Sequence, residues 1–346
     1  MVAVPFDLNR LELTGPSVSI LGGVSIQPTS GAAEFSISDD GSLAYVPGES
    51  SISERTLLWV DRKGATRSLA APPRGYYCPR PSPDAQQLAL GIQGNRGTWL
   101  YDPARGTLTR FAAGSHSIWT PDGKHLTFSY LQSGTMSLYW MPADGNGGPE
   151  RLTTSENPQF PGSWSPDGQV LVFTEADPTT GWDIWMLGLP GDRKPRPFLQ
   201  TPANEAGPIF SPDGHWLAYV SDESGRQEIY VRPFPGPGGK IPISTDGGTQ
   251  PVWARNGREL FYRNGDKMML AAVETRPVFT AAKPRLLFEA HYETGFSPFE
   301  PDYDVSPDGQ RFLMVKASEQ ESAPTQLNVV LNWSDELRRL APAGKP

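Results

Sequence analysis

The chain has 346 residues, of which 36 are Gly and 36 are Pro, about a fifth of the total against a usual share of about 12%. Neither residue suits a helix interior, so long helices are excluded, and their even spread points to many turns between short strands. The net charge of −8 comes without a clustered basic stripe, which argues against nucleic acid, and no run approaches the ~18 apolar residues of a membrane span.

A single cysteine, Cys78, rules out an internal disulfide. The opening residues Met1–Arg10 lack the charged and apolar regions of a signal peptide, so the compartment stays open. Ten Trp and an aromatic share of 10% supply apolar area for a large core.

Along the chain one short pattern recurs seven times. It reads Ser38-Asp39-Asp40-Gly41, then Ser82-Pro83-Asp84-Ala85, Thr120-Pro121-Asp122-Gly123, Ser165-Pro166-Asp167-Gly168 and Ser211-Pro212-Asp213-Gly214. Ala254-Arg255-Asn256-Gly257 and Ser306-Pro307-Asp308-Gly309 complete the set. The spacings of the Asp or Asn are 44, 38, 45, 46, 43 and 52 residues. Pro presets φ for a type I turn, Asp suits the next position, and Gly accepts the left-handed one that follows.

A strand therefore enters each turn and another leaves it. The exits alternate as half-buried strands do, as in Leu88 and Leu90, Leu171 and Phe173, or Phe312 and Met314. A third apolar strand follows in most units (57–60, 99–101, 138–141, 183–187, 229–231), and a weaker fourth ends them. Four antiparallel strands per repeat of about 44 residues predict an all-β fold, a β-propeller. The turn count gives seven blades, with six as the alternative if one unit is an insertion.

The ends of the chain bear on closure. Residues 1–24 resemble the back half of the sixth unit, 268–290, so residues 1–31 are expected to supply the outer strands of a closing blade shared with the C-terminus. On this reading 32–290 form six blades, 291–333 the last blade, and 334–346 a helical turn and tail, all in one domain. Residues 326–333 (QLNVVLNW) add a strand competing for the closing blade, and Ser334 is placed to cap the helical turn ahead of Asp335 and Glu336.

The turns, and the aromatic before several of them, resemble TolB-like propeller repeats over nearly the whole chain. Finer strings are similar to the propeller module that follows the kinase domain and membrane helix in many bacterial serine/threonine kinases: Leu58-Trp59-Val60-Asp61-Arg62-Lys63-Gly64, Tyr230-Val231-Arg232-Pro233-Phe234-Pro235 and Val329-Val330-Leu331-Asn332-Trp333. That resemblance implies an extracytoplasmic sensor module. The kinase itself is absent: there is no phosphate loop with its lysine, no H-R-D and no D-F-G. A nucleophile elbow G-x-S-x-G and a zinc helix H-E-x-x-H are missing too.

One constellation follows from repeat register. Four residues before the first residue of each turn stand Glu34, Cys78, His116, Pro161, Gly207, Gln250 and Asp302. Equivalent positions on inner strands lie at one height around the axis, so Glu34, His116, Gln250 and Asp302, joined by Cys78, are candidates for a ligand or metal site at the channel mouth. Carboxylate, imidazole and amide suit one divalent metal such as Ca²⁺ or Zn²⁺. The plain alternative is a solvated channel mouth with no cofactor, and a Cys78 that is a small buried hydrophobe.

His125, His215 and His291 read as exposed turn residues. Trp119, Trp164 and Trp253, at one repeat position, read as packing between blades, while Trp182, Tyr76, Tyr77 and Tyr292 are either buried or a partner surface. The stretch 300–304 (EPDYD) offers Ca²⁺ oxygens without a complete ligand loop. The sequence thus predicts a non-catalytic, monomeric module that binds a protein, a peptide or a small ligand in the channel. Against it stands a propeller enzyme, a metal-assisted lactonase or esterase or a sugar lyase.

Overall fold

The structure is a computed structural model and describes residues 1–26, 32–48, 54–94, 97–132, 134–293, 300–317 and 326–340. A single domain was expected, but contacts divide the chain into two compact units, Met1–Glu54 with Glu319–Pro346, and Arg55–Ser318.

The larger unit is built of six antiparallel sheets among the described residues, five of four strands and one of five. Their first strands are Tyr76–Pro81, Ser115–Trp119, Gln159–Trp164, Glu205–Phe210, Thr249–Trp253 and Asp304–Val305. Each of these runs into one copy of the repeated turn. The turn closes as its chemistry requires. In the fourth copy, for example, Ser165 Oγ donates to Asp167 Oδ1 at 2.5 Å and Gly168 N donates to Ser165 O at 2.8 Å. Gly168 has φ +69°, and Ala85 alone among the seven copies holds the left-handed position (φ +59°) with a side chain.

Successive first strands contact one another from Tyr76–Pro81 round to Asp304–Val305, which in turn contacts Tyr76–Pro81. Apolar clusters fill the space between neighbouring sheets. Val60, Phe261, Phe288 and Phe312 join the fifth and sixth, and Leu57, Tyr76, Leu88 and Leu313 join the sixth and first. At about 1.5–3 kcal/mol per fully buried large apolar side chain, these layers dominate the stability of the unit. The tryptophans of the repeat belong to them: Trp119 Nε1 donates to Arg80 O, Trp164 Nε1 to Thr127 Oγ1 and Trp253 Nε1 to Ile209 O, each time on the preceding sheet. Tyr76, Tyr77 and Tyr292 are buried, so they are core and not a partner surface.

The sixth sheet corrects the expected pairing. Its order is Asp304–Val305, Arg311–Ala317, Arg55–Asp61, Thr66–Ser68. The outer strands therefore come from residues after 54, not from 1–31. The reason lies in strand quality: Arg55–Asp61 is a seven-residue apolar strand in full register with Arg311–Ala317. The N-terminal strands are two residues each and pair among themselves, Val2–Ala3 with Val18–Ser19 and Phe6–Asp7 with Glu12–Leu13.

The smaller unit holds the remaining turn copy. Its sheet has three strands, Phe35–Ile37, Leu43–Tyr45 and Asn328–Val330, so the extra C-terminal strand pairs here and not in the closing sheet. A helix, Trp333–Leu340, follows. It begins before Ser334, which sits inside its first turn and not at its cap. Asp335 N donates to Asn332 O, and Ser334 N to Gly41 O. The expected tail, 341–346, lies outside the described residues. No helix among them is long and apolar enough to cross a membrane.

Candidate functional site

The first strands of five sheets are not regular. Each shows a register shift against its neighbour strand, at Tyr77–Arg80, Ser115–Ile118, Pro161–Ser163, Ala206–Ile209 and Thr249–Val252. These are β-bulges, and a bulge re-aims the side chain it carries. Within four of them one residue adopts a left-handed backbone: Cys78 (φ +46°), His116 (φ +56°), Gly207 (φ +62°) and Gln250 (φ +57°). They are the residues that repeat register places at one level. For Cys78, His116 and Gln250 the conformation costs about 1–2 kcal/mol each, a strain held by the surrounding sheets.

Four of the five candidate residues come together. Cys78 N donates to Asp302 Oδ1 at 3.0 Å, and Cys78 Sγ lies 3.6 Å from the same oxygen. Gln250 and Asp302 bond reciprocally, Nε2 to Oδ2 and Asp302 N to Oε1, both at 3.4 Å. Asp302 and Gln250 are almost wholly buried. His116 joins through Glu300, whose Oε2 lies 3.4 Å from His116 Nε2 and 3.8 Å from Cys78 Sγ. Glu34 belongs to the smaller unit, where its backbone bonds to Ser25 and Val46.

Glu300 and Arg80 are the members that repeat register missed. Glu300 precedes the sixth first strand, at the register position where the other copies of this unit have Tyr76, Gly114, Gln159, Glu205 and Gly248; its signal was the acidic run 300–304. Arg80 looked like an ordinary strand residue. Its Nη1 donates to the carbonyls of Pro79 and Tyr303 at 2.9 and 3.4 Å, and its Nη2 to that of Pro301 at 2.7 Å. The guanidinium thereby ties the 300–304 segment to the first sheet.

These groups surround a cavity of about 40 Å³, lined by Cys78, Arg80, His116, Glu300 and parts of the third and fourth first strands. Gly162 and Gly207 stand in its wall. A Cβ on Gly162 would lie 2.4 Å from Pro208 O, so that contact between third and fourth sheets requires glycine.

Burial sets the protonation. It raises Glu300 to about 8, opposed by Arg80 and helped by Asp302. It lowers His116 to about 4, with Asp302 opposing. It lifts the Cys78 thiol well above its ordinary range, with Asp302 and Glu300 adding to the effect. At neutral pH the site therefore holds an unprotonated imidazole beside a protonated carboxyl and a thiol that is no nucleophile. Ser115 Oγ lies 3.1 Å from His116 Nδ1, and the Tyr77 and Phe160 rings pack on the imidazole with centroids at 5.9 and 5.1 Å. Among the described residues no three His, Cys, Asp or Glu side chains are arranged to hold a metal ion.

The other histidines lie elsewhere. His215 and His291 are exposed, as expected, but His125 is half-buried and stacks on Trp140 with centroids 4.5 Å apart.

No family model matches the chain. An uncharacterized protein of Agrobacterium fabrum is 29% identical over 165 residues, 46% of this chain. The chain covers 55% of that relative, about half its length. A solved protein assigned as TolB from Agrobacterium tumefaciens superposes with a TM-score of 0.64 at 18% identity, over 77% of this chain and 99% of that one. TolB from Acinetobacter baumannii follows at 0.52 and 18%, over 80% and 66%. The fold is a TolB-like β-propeller. An oligogalacturonate lyase solved with manganese superposes at 0.52 and 15% identity, over 82% and 84%, so the same TolB-like architecture is shared by an enzyme.

Proposed function

We propose that the larger unit is a six-bladed propeller whose axial cavity receives a ligand or the end of a partner chain, and that the protein is a non-catalytic binding and sensing module. Six sheets, first strands in a returning chain of contacts and a last sheet made from both ends of the unit support the blade count. The observation that carries the function is the gathering of Cys78, His116 and Glu300 at one cavity, backed by Asp302 and Gln250, with Cys78, His116 and Gln250 on bulges that cost backbone strain. A purely structural axis has no need of strained polar residues. The strings similar to the kinase-borne module favour sensing.

The test is a thermal-shift panel of amines, carboxylates, sugars and short peptides on the wild type and on His116→Ala. The module reading expects at least one compound to raise Tm in the wild type and not in the variant. A panel without any such compound defeats it.

A second reading has its own observation. An unprotonated imidazole 3.4 Å from a carboxyl is a base beside an acid, the equipment of a lyase or a lactone-opening enzyme, with or without a divalent metal. Turnover of a lactone, ester or uronide that His116→Ala removes would select it, and metal content by mass spectrometry would decide the metal-assisted form.

A further inference from the structure

We infer that the axial cavity takes a primary ammonium group, the end of an alkylamine, a lysine side chain or a peptide N-terminus. The inference rests on the cavity being a ligand site and names the chemistry it accepts.

The argument is an inventory of donors and acceptors. Several donors in the wall and just behind it are engaged within the protein. Arg80 donates to three carbonyl oxygens, Cys78 N to Asp302, Gln250 Nε2 to Asp302, and Asp302 N to Gln250. In the tautomer whose Nδ1–H donates to Ser115 Oγ, His116 Nε2 presents a lone pair. Once Glu300 gives up its proton, Nε2 and Glu300 Oε2 are two acceptors 3.4 Å apart, with the Cys78 thiol, a weak donor, 3.8 Å from the same oxygen. Two acceptors so close together suit a ligand with several N–H groups. A primary ammonium has three such N–H donors and no lone pair.

Charge agrees. Glu300 in the wall and Asp302 behind Cys78 outnumber the one cation, Arg80, whose guanidinium lies on backbone carbonyls. An arriving ammonium gives Glu300 a counter-charge and lets it ionise, whereas an anion would keep the Glu300 carboxyl protonated and sit near the Asp302 charge behind it. Size agrees as well. About 40 Å³ admits a head group on a slender stem and excludes a ring, and the wall at Gly162 and Gly207 carries no side chain to fill it. Burial also keeps His116 unprotonated at neutral pH, which preserves the acceptor.

The experiment is isothermal titration of the wild type and of Glu300→Gln at pH 7 in phosphate. The probes are butylamine, butyltrimethylammonium, butyrate, Nα-acetyl-lysine amide, and one tripeptide with a free or an acetylated N-terminus. Butylamine is expected to bind at least tenfold more tightly than butyltrimethylammonium, which has the charge without the N–H donors. Glu300→Gln, folded by circular dichroism, is expected to lose at least tenfold for the amine. The lysine and peptide arms identify the source. Equal binding of the two cations, or an unchanged affinity in Glu300→Gln, overturns the ammonium assignment. Butyrate binding with no amine binding overturns it and leaves the cavity as a ligand site, while silence from every probe defeats the ligand reading as well.

Discussion

The two units use one turn and build different things from it. In the larger unit each turn leans on its neighbour. A Cβ on Gly123 would meet Pro83 at 3.5 Å, and on Gly214 it would meet Pro166 at 3.2 Å, each proline from the preceding copy. In the smaller unit Gly41 is covered by Ser334 of the C-terminal helix instead. The hydrogen bonds inside the turn are the same in both: Ser38 Oγ reaches Asp40 as Ser165 Oγ reaches Asp167. What differs is flanking. Sheets of the larger unit have neighbours that bury their middle strands, whereas Phe35, Ile37 and Val329 of the smaller unit stay 44, 50 and 57% exposed. A local code closes a turn by itself, and burial needs a partner sheet.

Truncating the core should show the largest difference. Leu313→Ala, fully buried between the sixth and first sheets, is expected to cost about 2–5 kcal/mol in urea unfolding. Val329→Ala in the smaller unit is expected to change stability by less than about 0.5 kcal/mol. Similar losses from both would show that the smaller sheet is packed as tightly as the larger ones.

Stability against pH isolates the site. With Glu300 raised to about 8 from 4.5, the folded state keeps a proton that the unfolded state has lost, so its contribution falls as pH rises between those values. His116, lowered to about 4 from 6.5, acts the other way: its contribution is full above 6.5 and is lost as pH falls towards 4. The two oppose at mildly acid pH, and above 6.5 only the Glu300 effect of the pair remains. Between pH 6.5 and 8.5 the wild type is expected to lose about 1–2 kcal/mol that Glu300→Gln does not lose. The same slope in both proteins would refute the buried, protonated Glu300.

Smaller effects test the turns. Ser165→Ala leaves Val170 N without the hydroxyl it donates to at 2.9 Å and is expected to cost about 1–2 kcal/mol. Ser38→Ala, at an exposed turn, should stay within about 0.5 kcal/mol. One change in a turn is a gain: Ala85→Gly relieves a left-handed alanine and should add about 0.5–1 kcal/mol, read as a rise in Tm. A loss there would mean that the Ala85 side chain makes a contact outweighing its strain.

Much of this was legible in the residues. Seven copies of a serine–proline–aspartate–glycine pattern announce turns, the alternating Leu and Phe after them announce strands, and the spacing announces a propeller, because each signal is local and repeats. Register within the repeat even aligned Cys78, His116, Gln250 and Asp302, since equivalent positions in equivalent strands come to equivalent places. The positive φ that re-aims three of them left no trace in residue type; only Gly207 hinted at it.

Which strands close the last sheet, the exile of the first turn to a separate sheet, and the arrival of Glu300 beside His116 were decided by tertiary structure alone. Closure goes to whichever distant strand buries most apolar surface against Arg311–Ala317, and Arg55–Asp61 outcompetes the two-residue strands at the N-terminus. Glu300 comes from the segment ahead of the sixth first strand, held by Arg80 on the first sheet, and its protonation is set by desolvation that exists only once the first strands have converged. Turns and strands are written in neighbouring residues, whereas strand partners and the chemistry of a buried carboxyl depend on residues hundreds of positions away.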